Sequence, residues 1–200
     1  YGAQMTTISG SINLTGTSGF FDVPVANATS YNTYGVVAQG YTSSTSGAIT
    51  INGTGGSPSS SPKVQQTIGA ALWGGSIYTS GNFSVTGQGG NVASASTTSS
   101  IASVGVDIIS ASNLGVTSGA GSVSIIGTGG TIAGSGPAIS QEFLSIGVRG
   151  GATGTTGSFT LNGTGGDITT TTATTGAVTS IGWVEPAGVP VTTSAAANAV

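Results

Sequence analysis

Residues 47–56 read Gly47-Ala-Ile-Thr-Ile-Asn-Gly-Thr-Gly-Gly56. Apolar Ile49 and Ile51 alternate with polar Thr50 and Asn52. A period of two marks a strand with one buried face, here ended by a glycine-rich stretch. The same ten-residue pattern stands at Gly10–Gly19, Gly81–Gly90, Gly121–Gly130 and Gly157–Gly166, with first glycines 37, 34, 40 and 36 residues apart. The apolar pairs of the five copies are Ile12/Leu14, Ile49/Ile51, Phe83/Val85, Val123/Ile125 and Phe159/Leu161, and these are the expected core columns. Gly16, Gly53, Gly87, Gly127 and Gly163 follow each pair and are expected corner residues, where glycine supplies positive φ at low steric cost.

A second motif keeps the same period. An apolar residue precedes glycine at Tyr1-Gly2, Tyr34-Gly35, Ile68-Gly69, Val104-Gly105, Ile146-Gly147 and Ile181-Gly182. Alternation through Tyr34/Val36/Ala38, Ile68/Ala70/Leu72 and Val104/Val106/Ile108 predicts a second strand with one apolar face. A unit with two strands cannot close its own core, but stacked units align strand on strand and bury continuous columns. The predicted fold is all-β, a parallel β-helix (β-solenoid) of about 5–5.5 coils of about 36 residues. It is expected to be right-handed, as parallel crossovers nearly always are. Three faces are expected, with a weaker third strand around Ser76–Thr79 and Leu114–Thr117. At about 4.8 Å per coil the stack is about 25 Å tall. The chain reads as one segment, 1–200, with rungs near 1–34, 35–68, 69–104, 105–146, 147–181 and a partial 182–200. The variable stretches Ser57–Gln66, Asn91–Ser103 and Thr131–Gln141 read as lateral loops.

Composition narrows the function. Gly, Ser and Thr make up about half of the 200 residues, and only 4% are charged, against about 25% in an ordinary domain. Such richness in Gly and Ser suggests a flexible linker, but 36% of residues are hydrophobic and regularly placed. The only basic residues, Lys63 and Arg149, are too few to neutralise several phosphates, which excludes ordinary nucleic-acid binding and polybasic lipid attachment. Absence of His and Cys excludes disulfides and Cys/His metal or nucleophile chemistry. Mean hydropathy is +0.30, yet no window of about 18 residues is continuously apolar, so no membrane insertion is expected. The chain opens at Tyr1 without Met, which reads as a processed product or a segment of something longer.

Little remains to carry chemistry. Asp107 and Arg149 each follow a second-motif glycine by two residues, in neighbouring rungs. Alternation puts both on the outer face with a slight offset, as a surface ion pair worth at most about 1 kcal/mol. Asp22, Lys63 and Glu142 stand isolated in loops, and Asp167 follows a glycine pair at a corner. No acid/base pair emerges, so the chain is read as not an enzyme, with no cofactor and no metal site. Gly165-Gly166-Asp167 is similar to calcium-binding nonapeptide repeats, but the other copies carry Phe20, Ser57, Asn91 and Thr131 there. The glycine clusters lack the Gly-Lys-Ser/Thr of a phosphate loop, and Thr169–Thr175 is a single loop rather than an ice-binding ladder. Asn13, Asn27, Asn52, Asn82 and Asn162 open Asn-x-Ser/Thr triplets that composition alone explains. Phe20 and Phe21 form a candidate contact loop, and Trp73 and Trp183 follow the second motif at similar depths.

The recurring Gly-x-Ile-Thr-Ile-x-Gly-Thr-Gly-Gly, paired with apolar-Gly-Val strands, resembles the repeats of very large bacterial surface or secreted proteins. Filamentous-haemagglutinin-like and autotransporter passenger β-helices are the broader kin. The resemblance spans about 1–185; after Gly182, Trp183 and Glu185 take positions that should point inward. It implies an extracellular or cell-surface structural segment, a shaft or filament subunit stacking end to end on itself or continuing a longer chain. The start, Tyr1-Gly2-Ala3-Gln4-Met5, already matches the repeat strand, so the first rung is expected to be covered by another coil. The alternative is an adhesin-type module whose lateral loops recognise glycans or a cell surface.

Overall fold

The computed structural model describes residues 3–19, 31–58, 64–92, 101–109, 115–118, 120–134, 143–150, 157–170, 178–184 and 197–199. Among them there is no helix. In chain order the strands are β1 (Ala3–Thr7), β2 (Ile12–Thr17), β3 (Tyr31–Ser44), β4 (Ile49–Thr54), β5 (Val64–Thr79), β6 (Phe83–Gln88), β7 (Ile101–Ile109) and β8 (Gly115–Ser118). There follow β9 (Val123–Thr128), β10 (Ile132–Gly134), β11 (Phe143–Arg149), β12 (Phe159–Thr164), β13 (Ile168–Thr170), β14 (Val178–Val184) and β15 (Ala197–Ala199).

Strands alternate between two main sheets. The first runs β1-β3-β5-β7-β11-β14, with β8 also on β5; the second runs β15-β12-β9-β6-β4-β2. Every pairing is parallel. The protein is thus an all-β parallel β-solenoid. A small third sheet pairs β10 with β13, and Val92 bridges to Ile132 beside it.

The first-motif strands stack with no offset. Ile12, Ile49, Phe83, Val123 and Phe159 lie in one row and Leu14, Ile51, Val85, Ile125 and Leu161 in the next. Ile49, Ile51, Val85 and Ile125 are wholly buried. Each buried side chain of this size contributes about 1.5–3 kcal/mol.

The chain passes without a break from the first sheet into the second in three coils, 3–19, 31–58 and 64–92, so about 3 turns are supported rather than 5–5.5. In the later rungs the links 110–114 and 151–156 lie outside the described residues, although the strands on either side extend both ladders. Two stretches expected as weak strands, Ser76–Thr79 and Leu114–Thr117, correspond to the end of β5 and to β8, which pair from Ser76↔Gly115 to Thr79↔Ser118. The stretches read as loops begin or end in strand: Val64–Gln66 belongs to β5, Ile101–Ser103 to β7 and Ile132–Gly134 is β10. Phe20 and Phe21 lie outside the described residues.

The glycines after each apolar pair do different work from that expected. Gly16, Gly53, Gly87, Gly127 and Gly163 sit inside strands and in register with one another. Left-handed φ occurs instead at Gly40 (102°), Gly74 (47°) and Gly150 (111°). What the row requires is close approach. A Cβ on Gly69, opposite Gly53, would stand 2.6 Å from Gln88 O and 2.6 Å from Gly105 O. The two sheets therefore meet backbone to backbone along a double row of glycines, where any side chain would force them apart.

The second motif is not one-faced either. Ala70, Leu72, Val106 and Ile108 pack between the sheets, whereas Ile68, Val104 and Ile146 pack in a separate cluster with Ala71 and Ala102. The alternation slips by one residue at the glycine. Thr67, Ser103 and Ser145, two residues before it, are buried with hydroxyls hydrogen-bonded to inner glycine peptides.

Candidate functional site

What repeats in this molecule is the contact of rung with rung. Beyond the strand ladders, two columns of hydroxyl groups join successive coils. In one, Ser103 Oγ donates to Gly90 O at 2.8 Å and accepts from Gly130 N at 2.8 Å. Ser145 Oγ then donates to Gly130 O at 2.8 Å and accepts from Gly166 N at 2.7 Å, and Ser180 Oγ donates to Gly166 O at 2.8 Å. In the other, Ser44 Oγ donates to Gly10 O at 2.9 Å and accepts from Gly47 N at 2.9 Å. Thr79 Oγ1 repeats this between Gly47 O and Gly81 N. Ser103, Ser145, Ser44 and Thr79 each bridge two peptides of different coils. The small hydroxyl and the adjoining glycine fit together because a larger residue at either place would close the gap. Buried peptide groups need such partners.

Asp107 and Arg149 are direct register partners on β7 and β11, with no offset. Arg149 Nε donates to Asp107 Oδ1 at 2.7 Å, and Nη2 donates to Asp107 Oδ2 and, at 3.2 Å, to Gln66 Oε1. Asp107 is 0% exposed and the Arg149 side chain 22%, so this is a covered, bidentate pair and not the solvated surface pair the alternation suggested. The reason lies in the outer side of the first sheet, which carries its own packed layer: Ala71, the register neighbour of Asp107, is buried too, in a cluster with Ile68, Val104 and Ile146. The hydrogen bond to Asp107 raises the Arg149 pKa above its ordinary value against the opposing effect of burial. Both carboxylate oxygens are held by the guanidinium, which fixes the pair as a strut between two coils. Tyr34 and Trp73 meet edge to face on the same side, with ring centres 4.9 Å apart.

At the two ends the columns lie open. Ile12 and Leu14 of β2 are half-buried where their partners Ile49 and Ile51 are sealed. Ile8 is 79% exposed. Trp183 on β14 follows Ala70, Val106 and Val148 in their column, yet it is exposed, with Nε1 donating to Gly150 O at 3.0 Å. Its place is the inward one expected, at a rung with no described strand beyond it. Glu185, Asp22, Lys63 and Glu142 lie outside the described residues. Asp167 is exposed, and its carbonyl accepts from Ile132 N at 2.9 Å. Among the described residues no three of His, Cys, Asp and Glu come together as metal ligands, and no helix is long and apolar enough to cross a membrane. Asn13, Asn52, Asn82 and Asn162 are all exposed.

Sequence reasoning missed the hydroxyl relays. Their signal was present: a Thr or Ser stands immediately before the apolar-Gly pair at Thr67, Ser103, Ser145 and Ser180. Comparison with protein-family models, with curated proteins and with solved structures finds no match, so the solenoid architecture rests on the chain itself.

Proposed function

We propose that this chain is a structural segment or subunit of an extracellular bacterial fibre or giant cell-surface protein, which stacks end to end through its terminal rungs. The observation that carries the reading is the pair of open ends, typified by half-buried Ile12 and Leu14 beside sealed Ile49 and Ile51. An apolar column cut across and a strand edge left unpaired favour further pairing. The reading takes the solenoid as right-handed and three-faced, as parallel crossovers favour. Kinship with filamentous-haemagglutinin-like and autotransporter passenger repeats belongs to the same proposal. The adhesin alternative rests on lateral loops whose central parts, 59–63 and 135–142, lie outside the described residues, so no observation favours it.

The role is mechanical. Sealed columns, hydroxyl relays and the Asp107–Arg149 strut tie each coil to its neighbours, and a chain without His or Cys has few groups that respond to pH or redox change. Electron microscopy of the purified 200-residue chain tests the proposal. Rods or filaments many times longer than a single stack are expected. Uniformly dispersed particles at high concentration would overturn self-stacking.

A further inference from the structure

We infer that β15 is a displaceable cap on the last rung: it occupies the edge of β12 that β2 of a second copy takes when copies stack, with β3 of that copy landing on β14 in the same docking. This rests on the stacking proposed above and specifies its surface, its register and what holds it back. The strand order fixes the count. From β2 to β12 the second sheet has five strands, and from the Tyr31–Gln39 half of β3 to β14 the first sheet also has five. A copy shifted by five rungs therefore meets both edges at once, β2 on β12 and β3 on β14. β15 is a sixth strand on the second sheet alone, and it stands where that β2 must go. Residues 185–196, which lead to it, lie outside the described residues.

β15 is the weaker occupant. It pairs with Phe159, Thr160 and Leu161 only, and leaves Asn162–Thr164 with β9 as their sole described partner. β2 matches all six residues of its neighbour β4. The two apolar rows of the second sheet run through Ile12/Leu14, Ile49/Ile51, Phe83/Val85, Val123/Ile125 and Phe159/Leu161, then end in Ala197 and Ala199. In the exchange Ile12 and Leu14, half-buried at the first rung, replace the two alanines, and the apolar area removed from water grows with side-chain size. A three-residue strand is the kind of short edge that limits pairing with further chains. On the first sheet, the inner column Val36, Ala70, Val106, Val148 and Trp183 continues with Val36 of the next copy over Trp183, exposed now. Gly19 supports the same register. It holds the place of Gly56 and Gly166 in the repeat. A Cβ on Gly166 would stand 2.5 Å from Gly130 O, and one on Gly56 would stand 2.9 Å from Gly19 O, each on the rung before. Gly19 has neither a left-handed φ nor any described atom beyond its chain neighbours within 4 Å of its Cβ position. A shift of five rungs puts Gly166 of the docked copy beneath it. None of β2, β3, β12, β14 and β15 carries a charged side chain, so neither edge repels the other. The contact is heterologous and open, of the kind that builds filaments.

Variants of the full chain test the cap, and the absence of native cysteine allows engineered cross-links. Thr160→Cys/Asn198→Cys joins register partners of β12 and β15, about 4.8 Å apart and within disulfide reach. Oxidised, with its thiols consumed, this variant should stay dispersed in electron micrographs, and reduction should restore filaments. Asn198→Pro weakens β15 with no cross-link and should speed filament growth at least about threefold. Val37→Cys/Val184→Cys reads the register. The two positions head and end the outer column that includes Ala71, Asp107 and Arg149. Within one copy they are four rungs apart, about 19 Å, whereas across the proposed contact they are one rung apart, about 4.8 Å. A ladder of disulfide-linked multimers on a non-reducing gel is expected. Filaments that form as fast with β15 locked, growth unmoved by Asn198→Pro, or filaments without the Val37–Val184 cross-link would overturn this inference and leave the proposed function standing. A dispersed chain in every variant, Asn198→Pro included, would overturn both and assign the open edges to neighbouring coils of a longer chain.

Discussion

Replacing Arg149 by Val removes both charged hydrogen bonds to Asp107 and the contact with Gln66. Asp107, 0% exposed, then keeps its place without its counter-ion. A covered charge stripped of its partner costs about 3–5 kcal/mol. The 22% exposure of the Arg149 side chain lets water reach the cavity, which places the cost at the lower end, about 3 kcal/mol. A surface pair would cost about 1 kcal/mol at most. Urea unfolding distinguishes the two: with m of about 2–3 kcal/mol/M, Arg149→Val should lower the midpoint by roughly 1–1.5 M with m unchanged. Register neighbours of the pair are apolar Ala71 and Val184, so Asp107→Val/Arg149→Val should return to within about 1 kcal/mol of the parent. A midpoint shift under about 0.4 M for Arg149→Val would refute the covered strut. Alkaline pH is no substitute for the mutation. A cation whose folded pKa is raised contributes fully below its ordinary pKa and loses that contribution only as pH climbs through the raised value, here beyond the arginine range.

Gly105→Ala would place a Cβ 2.6 Å from Gly147 O; thermal unfolding should show a loss of about 3 kcal/mol or more, because backbone cannot move aside as a side chain can. Ser145→Ala should cost about 1–3 kcal/mol and speed hydrogen exchange at the Gly166 amide, which loses its acceptor. Ile51→Ala should cost about 2–5 kcal/mol and Leu14→Ala roughly half as much in the dispersed chain, since Ile51 is sealed and Leu14 half-buried. Equal costs for these two, measured by urea unfolding, would contradict an open first rung.

The ladder of first-motif strands was legible because its two determinants are local. Alternation names the buried face at Ile49 and Ile51, and the fixed spacing to Gly53 names the register. What escaped the sequence depends on what lies opposite. Gly53 looks like a turn former until Gly69 is found across from it; only the facing backbone shows that space, not φ, selects glycine. Ile68 and Ala70 look like one face because Gly69 between them has no side chain to reveal the slip. Asp107 was assigned to solvent because alternation reports which side of a sheet a residue takes, not whether that side is covered.

The hydroxyl relays carry one more consequence. The hydroxyls that bridge coils aim their O–H at the coil that came earlier: Ser103 toward Gly90, Ser145 toward Gly130, Ser44 toward Gly10 and Thr79 toward Gly47, whereas Thr67 donates to Gly90 within its own coil. A rod made of such coils has a head and a tail that differ chemically, as an arrow does. A tag fused at one terminus should mark a single tip, and growth at the two tips should proceed at different rates.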